Sequence, residues 1–548
     1  MDNLNDSAFR TVRRLLVLLL AALALAPTGC GDSGPASGEV TKSVRTRVQS
    51  LPKTEAVVYR EPVRNAKAVQ RFYEARQFKH AWRGRRAEDV VKAIRDIEGD
   101  GLTPADYHLA ALERLIQERE KSTNAKLEGD LDILVTDAVI EMIDDVRYGR
   151  VRPNLLNPKW NMDPRENAPP MEKEAARIAA ASSVGDAIAA AKPNHFIYRG
   201  LVRALAQLRE ISAHGGWPAV PSGKPIKPGV TDPRIPAIRA RLAVSGEAGA
   251  PSNSTNYDPG LRKAVELFQT RHRLDANGII DKDVVDAMNV SAADRAGQVR
   301  ANLERARWVL GGLGDEFILV NLPAFKAYLI RGGNNIWESR TQIGEEAKQT
   351  PSFTATMKTV VFNPDWTVPP MIIAEEVAEG MQKDRNWLAS KGIVAVDKDN
   401  QEVDPGSIDW GNAADGDFPY TLRQPPGVDN PLGRVKFLFP NKYSIYLHDT
   451  PSQTKFEAER RTFSHGCIRL ENALELAKLL LSGQGSWSGG KIDQVVESGQ
   501  TENVELSHPL PVVIVYWTVS VGASGEIRYM RDIYDLDPSV LNALNRGL

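Results

Sequence analysis

The chain has 548 residues, 42% apolar and 25% charged, which is room for roughly three domains of about 150 residues with a substantial core. Its 69 Lys and Arg against 70 Asp and Glu leave no cationic surplus to draw it to nucleic acid. Two cysteines in so long a chain exclude a disulfide-stapled scaffold. Beyond the N-terminal leader no apolar run is long enough to span a membrane.

Residues 1–30 read as an export leader. Arg10, Arg13 and Arg14 form its basic region, and Leu15 through Ala26 is an apolar run too short for a comfortable transmembrane helix. Three fates are open. Ala22-Leu23-Ala24 or Ala24-Leu25-Ala26 is a cleavage site, with Pro27 hindering the second; Thr28-Gly29-Cys30 resembles a bacterial lipobox, with Cys30 becoming the lipidated first residue; or the segment stays as an uncleaved anchor. The Gly/Ser-rich stretch Gly31–Gly38 reads as a tether, and residues 31–65 are expected to be linker. All three place the rest of the chain in the periplasm of a bacterium, and the lipobox anchors it to a membrane.

Residues 66–214 carry a helical pattern. Leu131, Leu134, Val135, Ala138, Val139, Met142, Ile143 and Val146 recur at the spacing of an amphipathic helix. His80, His108 and His195 are scattered, and are read as surface or satisfied core histidines. Gly215–Thr231 is rich in Gly and Pro and marks a boundary. Residues 230–290 contain three short helical patterns, with an Ala-Val-x-x-Phe-Gln run at 264–269 and a Leu-Asp-x-x-Gly-x-Ile turn at 274–280. This unit resembles the peptidoglycan-binding type-1 domain. Asp294–Leu310 reads as a charged connecting helix.

From Phe317 the pattern becomes strand-like, at Phe317–Asn321, Ala327–Ile330, Lys358–Phe362, Val435–Phe439 and Ser444–Leu447. Residues 371–424 interrupt it and are expected to form an inserted lobe over the site, able to act as a lid. A mainly-β domain is expected over residues 315–498, with a C-terminal strand and tail over 508–548.

Cys467, in Ser464-His465-Gly466-Cys467-Ile468-Arg469-Leu470, is the one cysteine outside the leader. A thiol is mostly protonated at neutral pH and needs a base. His448, nineteen positions earlier at a strand end, is the candidate. The N–H groups of Gly466 and Cys467 are expected to hold an oxyanion. Arg469 is expected to bind a substrate carboxylate, and His465 and Ser464 to contact substrate beside it. A zinc site built from His448, Asp449, His465 and Cys467 lacks the spacing of known zinc helices and the paired cysteines of structural sites, so no metal is expected.

Tyr446-Leu447-His448-Asp449-Thr450-Pro451 followed by Phe463–Leu470 resembles the L,D-transpeptidase catalytic domain. Arg423–Gly427, Asn430–Phe437, Tyr148–Val151 and Asp532–Tyr534 are similar to the large periplasmic members that carry a helical scaffold and a peptidoglycan-binding domain. The resemblance implies a multidomain α+β chain with a helical scaffold domain, a three-helix peptidoglycan-binding domain and a mainly-β catalytic domain with an inserted lid lobe. It implies His448 as base and Cys467 as nucleophile, which forms a thioester with the third residue of a tetrapeptide stem, releases D-alanine and yields a 3→3 cross-link. It implies no cofactor, stem peptides and glycan as partners, and a thiol open to carbapenems. It leaves the imidazole-orienting group unassigned. Water as acceptor would make an L,D-carboxypeptidase or endopeptidase, a lipoprotein lysine is another acceptor, and a noncatalytic wall-binding lipoprotein is the alternative of a different class.

Overall fold

The computed structural model of the chain describes residues 37–51, 56–122, 124–413, 418–485, 487–522 and 524–546. The leader expectations, Cys30 included, lie outside the described residues.

The N-terminal unit is helical. The stretch expected to be linker instead opens with helix α1 (Ser37–Ser50), which buries Val40, Val44 and Val48. One valine per turn is enough to dock a short helix, yet it leaves the segment polar overall, so periodicity over a wide window misses it. α1 packs on the long helix α2 (Ala125–Tyr148), capped by the Asn124 side chain accepting from Leu127 N–H. α2 buries aspartates as well as its apolar stripe. Asp132 accepts from Tyr73 Oη at 2.7 Å and from the Ala81 and Trp82 N–H groups, and Asp137 from the Asn65 and Arg64 N–H groups. The scattered histidines are structural: His80 meets Asp132 at 3.1 Å, His108 meets Asp137 at 2.8 Å, and His195 caps helix α3 (Phe196–Ala213). A two-residue strand, β1 (Trp160–Asn161), leaves this unit to join the catalytic sheet.

The next unit packs helices Ile235–Val244, Pro259–Arg271 and Lys282–Asn289 around Ile238, Leu242, Val265, Phe268, Ile280 and Val284. Gln269 explains the motif seen in sequence. Its Oε1 accepts from Gly278 N–H at 2.9 Å and its Nε2 donates to Ile279 O at 2.9 Å, satisfying the turn from inside.

Helix α4 (Ala292–Leu310), expected to be a charged connector, is buried on every side from Ala301 to Leu310. Its charges are neutralised internally: Arg307 pairs with Glu304 at 2.9 Å, and Arg305 pairs with Asp537. Glu304 also accepts from Val151 N–H at 2.6 Å. This is the role of the Tyr148–Val151 motif. Gly149 sits at φ +86°, and a Cβ there would lie 2.6 Å from the Trp308 indole nitrogen.

The C-terminal unit is a closed sheet of β2 (Phe317–Asn321), β3 (Lys326–Arg331), β4 (Asn334–Gly344), β5 (Ser352–Phe362), β6 (Val435–Leu438), β7 (Leu447–His448), β8 (Thr462–Ser464), β9 (Ile468–Leu470) and β10 (Glu502–Val515). The circuit runs β5–β10–β2–β3–β4–β9–β7–β6 and returns to β5, with β8 pairing parallel to the end of β4. The strand expected at the start of the C-terminal tail is therefore a full member of the barrel, beside β2 and β5. The inserted segment forms its own lobe. Strands Trp366–Thr367, Val394–Val396, Glu402–Val403 and Thr421–Gln424 make a small sheet over a core that includes Val377, Leu388 and Leu422. No helix among the described residues is long and apolar enough to cross a membrane.

Candidate active site

Strands β7 and β9 run parallel, with Leu447 opposite Ile468 and His448 opposite Arg469. One step back, Tyr446 stands opposite Cys467, and its carbonyl accepts from Ile468 N–H at 3.2 Å. Side chains alternate along a strand, so Leu447, Ile468 and Leu470 fill the barrel core while Tyr446, His448, Cys467 and Arg469 share the other face. Lys436 on β6 pairs with His448 and joins them; its Nζ lies 6.0 Å from the Tyr446 ring centre. The Tyr446 and His448 rings are 5.5 Å apart. The register thus brings the two candidate catalytic residues and Arg469 together, and adds Tyr446 and Lys436, which sequence reading missed. Their alternation with core residues is the signal that points to them.

The imidazole is oriented by backbone. His448 Nδ1 lies 2.6 Å from Asp449 O, and a carbonyl only accepts, so Nδ1 carries the proton and Nε2 presents the lone pair. The Asp449 carboxylate faces away and accepts from Arg434 N–H at 2.9 Å. Burial, Arg469 and Lys436 together lower the pKa of His448 to about 3, so the ring is neutral at ordinary pH. The Cys467 thiol is free and half-buried. Burial raises its pKa, against the pull of Tyr446 and Arg469. The thiol faces Ser444 O at 3.8 Å, and among the described hydrogen bonds none joins it to His448. The two groups therefore rest as a thiol and a neutral imidazole.

The turn bearing Cys467 is braced by hydrogen bonds. Ser464 Oγ accepts from Gly466 N–H at 3.1 Å and donates to Cys467 O at 2.6 Å. Thr350 Oγ1 donates to Gly466 O at 2.7 Å and accepts from Gly344 N–H at 2.9 Å, and Tyr534 Oη donates to Gly344 O at 2.5 Å. Gly466 sits at φ +122°, where a Cβ would press on Ile445 at 3.3 Å. Ser464 is buried and engaged in the turn. Gly466 N–H donates to Ser464 Oγ, while Cys467 N–H has no acceptor among the described hydrogen bonds.

Arg469 Nη1 donates weakly to Gln342 Oε1 at 3.3 Å and Phe463 O at 3.4 Å, while its buried Nε has no partner. Burial lowers its pKa. A guanidinium left short of acceptors is ready for a carboxylate. His465 points the other way, to the lobe, where its Nε2 lies 3.1 Å from Glu376. Glu375 beside it pairs with Lys348. Both glutamates lie in a wide helical turn, Ile373–Val377, so the lobe is pinned to the turn that carries Cys467. Among the described residues no His, Cys, Asp and Glu cluster is arranged to hold a metal ion.

A family model described as the L,D-transpeptidase catalytic domain matches residues 315–503. This chain carries an L,D-transpeptidase catalytic domain. A scaffold domain model matches residues 67–205, and one described as "Putative peptidoglycan binding domain" matches residues 231–288. A Haemophilus influenzae protein named "Putative L,D-transpeptidase" is 35% identical over 223 residues, 41% of this chain and 45% of the relative. The chain thus spans under half the length of that curated relative. Crystal structures of L,D-transpeptidases from Xylanimonas cellulosilytica and Stackebrandtia nassauensis align over 54% of this chain and 99% and 96% of theirs, at 13% and 12% identity and a TM-score of 0.19 each. Overlays that loose carry no weight beside the barrel itself. In this L,D-transpeptidase domain the matched range takes in only the first two residues of β10, so most of the closing strand lies beyond it.

Proposed function

We propose that the protein is a peptidoglycan-modifying enzyme of the bacterial cell envelope, a cysteine-dependent L,D-transpeptidase that forms 3→3 cross-links. The observation that carries this reading is the shared face of Cys467, His448 and Arg469, with His448 Nδ1 locked on Asp449 O. Arg469 holds a stem carboxylate. That anion offsets the field of Arg469 and Lys436 and makes His448 a stronger base when substrate is present. Cys467 Sγ attacks the carbonyl carbon of the third stem residue as its proton passes to His448 Nε2. Cys467 N–H faces the oxyanion. The C–N bond to D-alanine breaks, and His448 returns the proton to the leaving amine. The amine of a second stem then attacks the thioester, loses a proton through His448, and restores the thiol.

Residues 231–288 hold the enzyme to glycan, the lobe excludes water from the thioester, and Cys30 is the lipid attachment point. Mass spectrometry of muropeptides incubated with the protein is the test. Dimers with 3→3 links are expected, and Cys467→Ala abolishes them while sacculus binding persists. Trimmed tripeptides alone would make the protein a hydrolase. Cross-linking that survives Cys467→Ala would remove the cysteine mechanism.

A further inference from the structure

We propose that the scaffold is a positioning element for the nucleophile: β1 and its neighbours hold the loop Asn441–Tyr446 against Cys467. The proposal rests on Cys467 being the nucleophile of the reaction above.

β6 covers β5 only from Thr359 to Phe362, which leaves the start of β5 open on that side. β1 fills the gap, with Trp160 opposite Ser352 and Asn161 opposite Phe353, and Ser352 N–H donates to Lys159 O at 3.0 Å. From this edge two side-chain bonds reach the loop. Lys442 Nζ donates to Asn161 Oδ1 at 3.0 Å, and Tyr443 Oη donates to Pro158 O at 3.2 Å. The Tyr443 ring also packs on Phe353, 5.3 Å between centres. Within the loop the Asn441 amide acts as a clamp. Its Oδ1 accepts from Tyr443 N–H and Ile445 N–H, and its Nδ2 donates to Phe439 O and Ile445 O at 2.7 Å.

The product of this bracing is Ser444 at φ +55°, a left-handed conformation that a non-glycine residue keeps only where its surroundings hold it. In that conformation Ser444 O faces the Cys467 thiol at 3.8 Å, Ile445 lies against Gly466, and Tyr446 addresses the sulfur. Three consecutive residues wall the thiol, and the anchor of that wall belongs to the scaffold. Tyr443, Lys442 and Asn161 are positioning residues: none touches the sulfur.

The test uses the full chain in a Cys30→Ser background, so that iodoacetamide reports Cys467 alone. In the double variant Asn161→Ala/Tyr443→Phe the wall loosens and the sulfur gains water. The pH midpoint of alkylation then falls toward that of a free thiol, and the rate near neutral pH rises about threefold, because rate follows the thiolate fraction. Tyr443→Phe alone shifts the midpoint in the same direction by less, with an unchanged urea unfolding midpoint. Asn161→Asp, which keeps an acceptor for Lys442, behaves as wild type. An unchanged alkylation midpoint in the double variant overturns the proposal. Alkylation needs no wall substrate, so its outcome stands apart from success or failure of the cross-linking assay.

Discussion

Helix α2 encloses its charges, the β7–β9 face leaves its own half-buried, and the two treat them in opposite ways. On α2, Asp132 and Asp137 are fully enclosed, and each carboxylate is met by several donors from other parts of the scaffold. On the catalytic face, Lys436 and Arg469 flank a neutral imidazole, and neither has a carboxylate hydrogen-bonded to it among the described residues. A satisfied buried charge fixes where segments sit; an unsatisfied one is a standing vacancy for an anion. The first kind stabilises the scaffold, and the second draws on that stability to stay in place.

The contrast breaks most visibly at Asp132. Asp132→Ala leaves the buried Ala81 and Trp82 N–H groups without acceptors and takes from Tyr73 Oη one of its two partners. We expect a loss of about 3–5 kcal/mol in denaturant unfolding. Arg469→Met inverts the pattern: cross-linking falls by about 10²-fold, while unfolding free energy changes by less than about 1 kcal/mol or rises, because a poorly partnered cation leaves the interior.

His448 sharpens the comparison through pH. The folded ring stays neutral down to about pH 3, whereas an unfolded histidine takes a proton near about pH 6.5. Its folded pKa is depressed, so its contribution to stability is present above the unfolded value and is lost as pH falls toward the folded one. Urea unfolding of the wild type across that range should show this acid limb, and His448→Gln should flatten it. Smallest is the rim contact between His465 and Glu376. Glu376→Gln weakens it by about 0.5 kcal/mol, read as faster hydrogen exchange in the lobe at Ile373–Lys383 with the barrel unchanged.

The candidate segment stands out in the sequence because its chemistry is local. Ser464–Leu470 holds a thiol in a turn, and His448 ends a recognisable strand. Register was not legible. The placement of Tyr446 opposite Cys467 follows from which strands pair, and nothing in either segment states it. The bond between Ser464 and Gly466 was not legible for a similar reason, since a hydroxyl two residues before a backbone N–H looks the same whether or not it binds that N–H. Helix α4 looked solvated because its partners, Asp537 and Tyr198, lie more than a hundred residues away in either direction. Thr350, which carries the turn from below, left no signal at all.

Strand β10 reaches the barrel from the far end of the chain, and its pairing with β2 spans almost two hundred residues. A chain synthesised from its N-terminus folds its early domains first, and long-range pairings close late. The scaffold can therefore be complete, with β1 waiting at its edge, before β10 exists. Until Val512–Val515 slots between β2 and β5, the circuit stays open, and the face that carries Cys467 has no closed barrel behind it. The order of synthesis thus sets an order of assembly, in which Cys467 gains its setting only after the scaffold and residues 231–288 have been made.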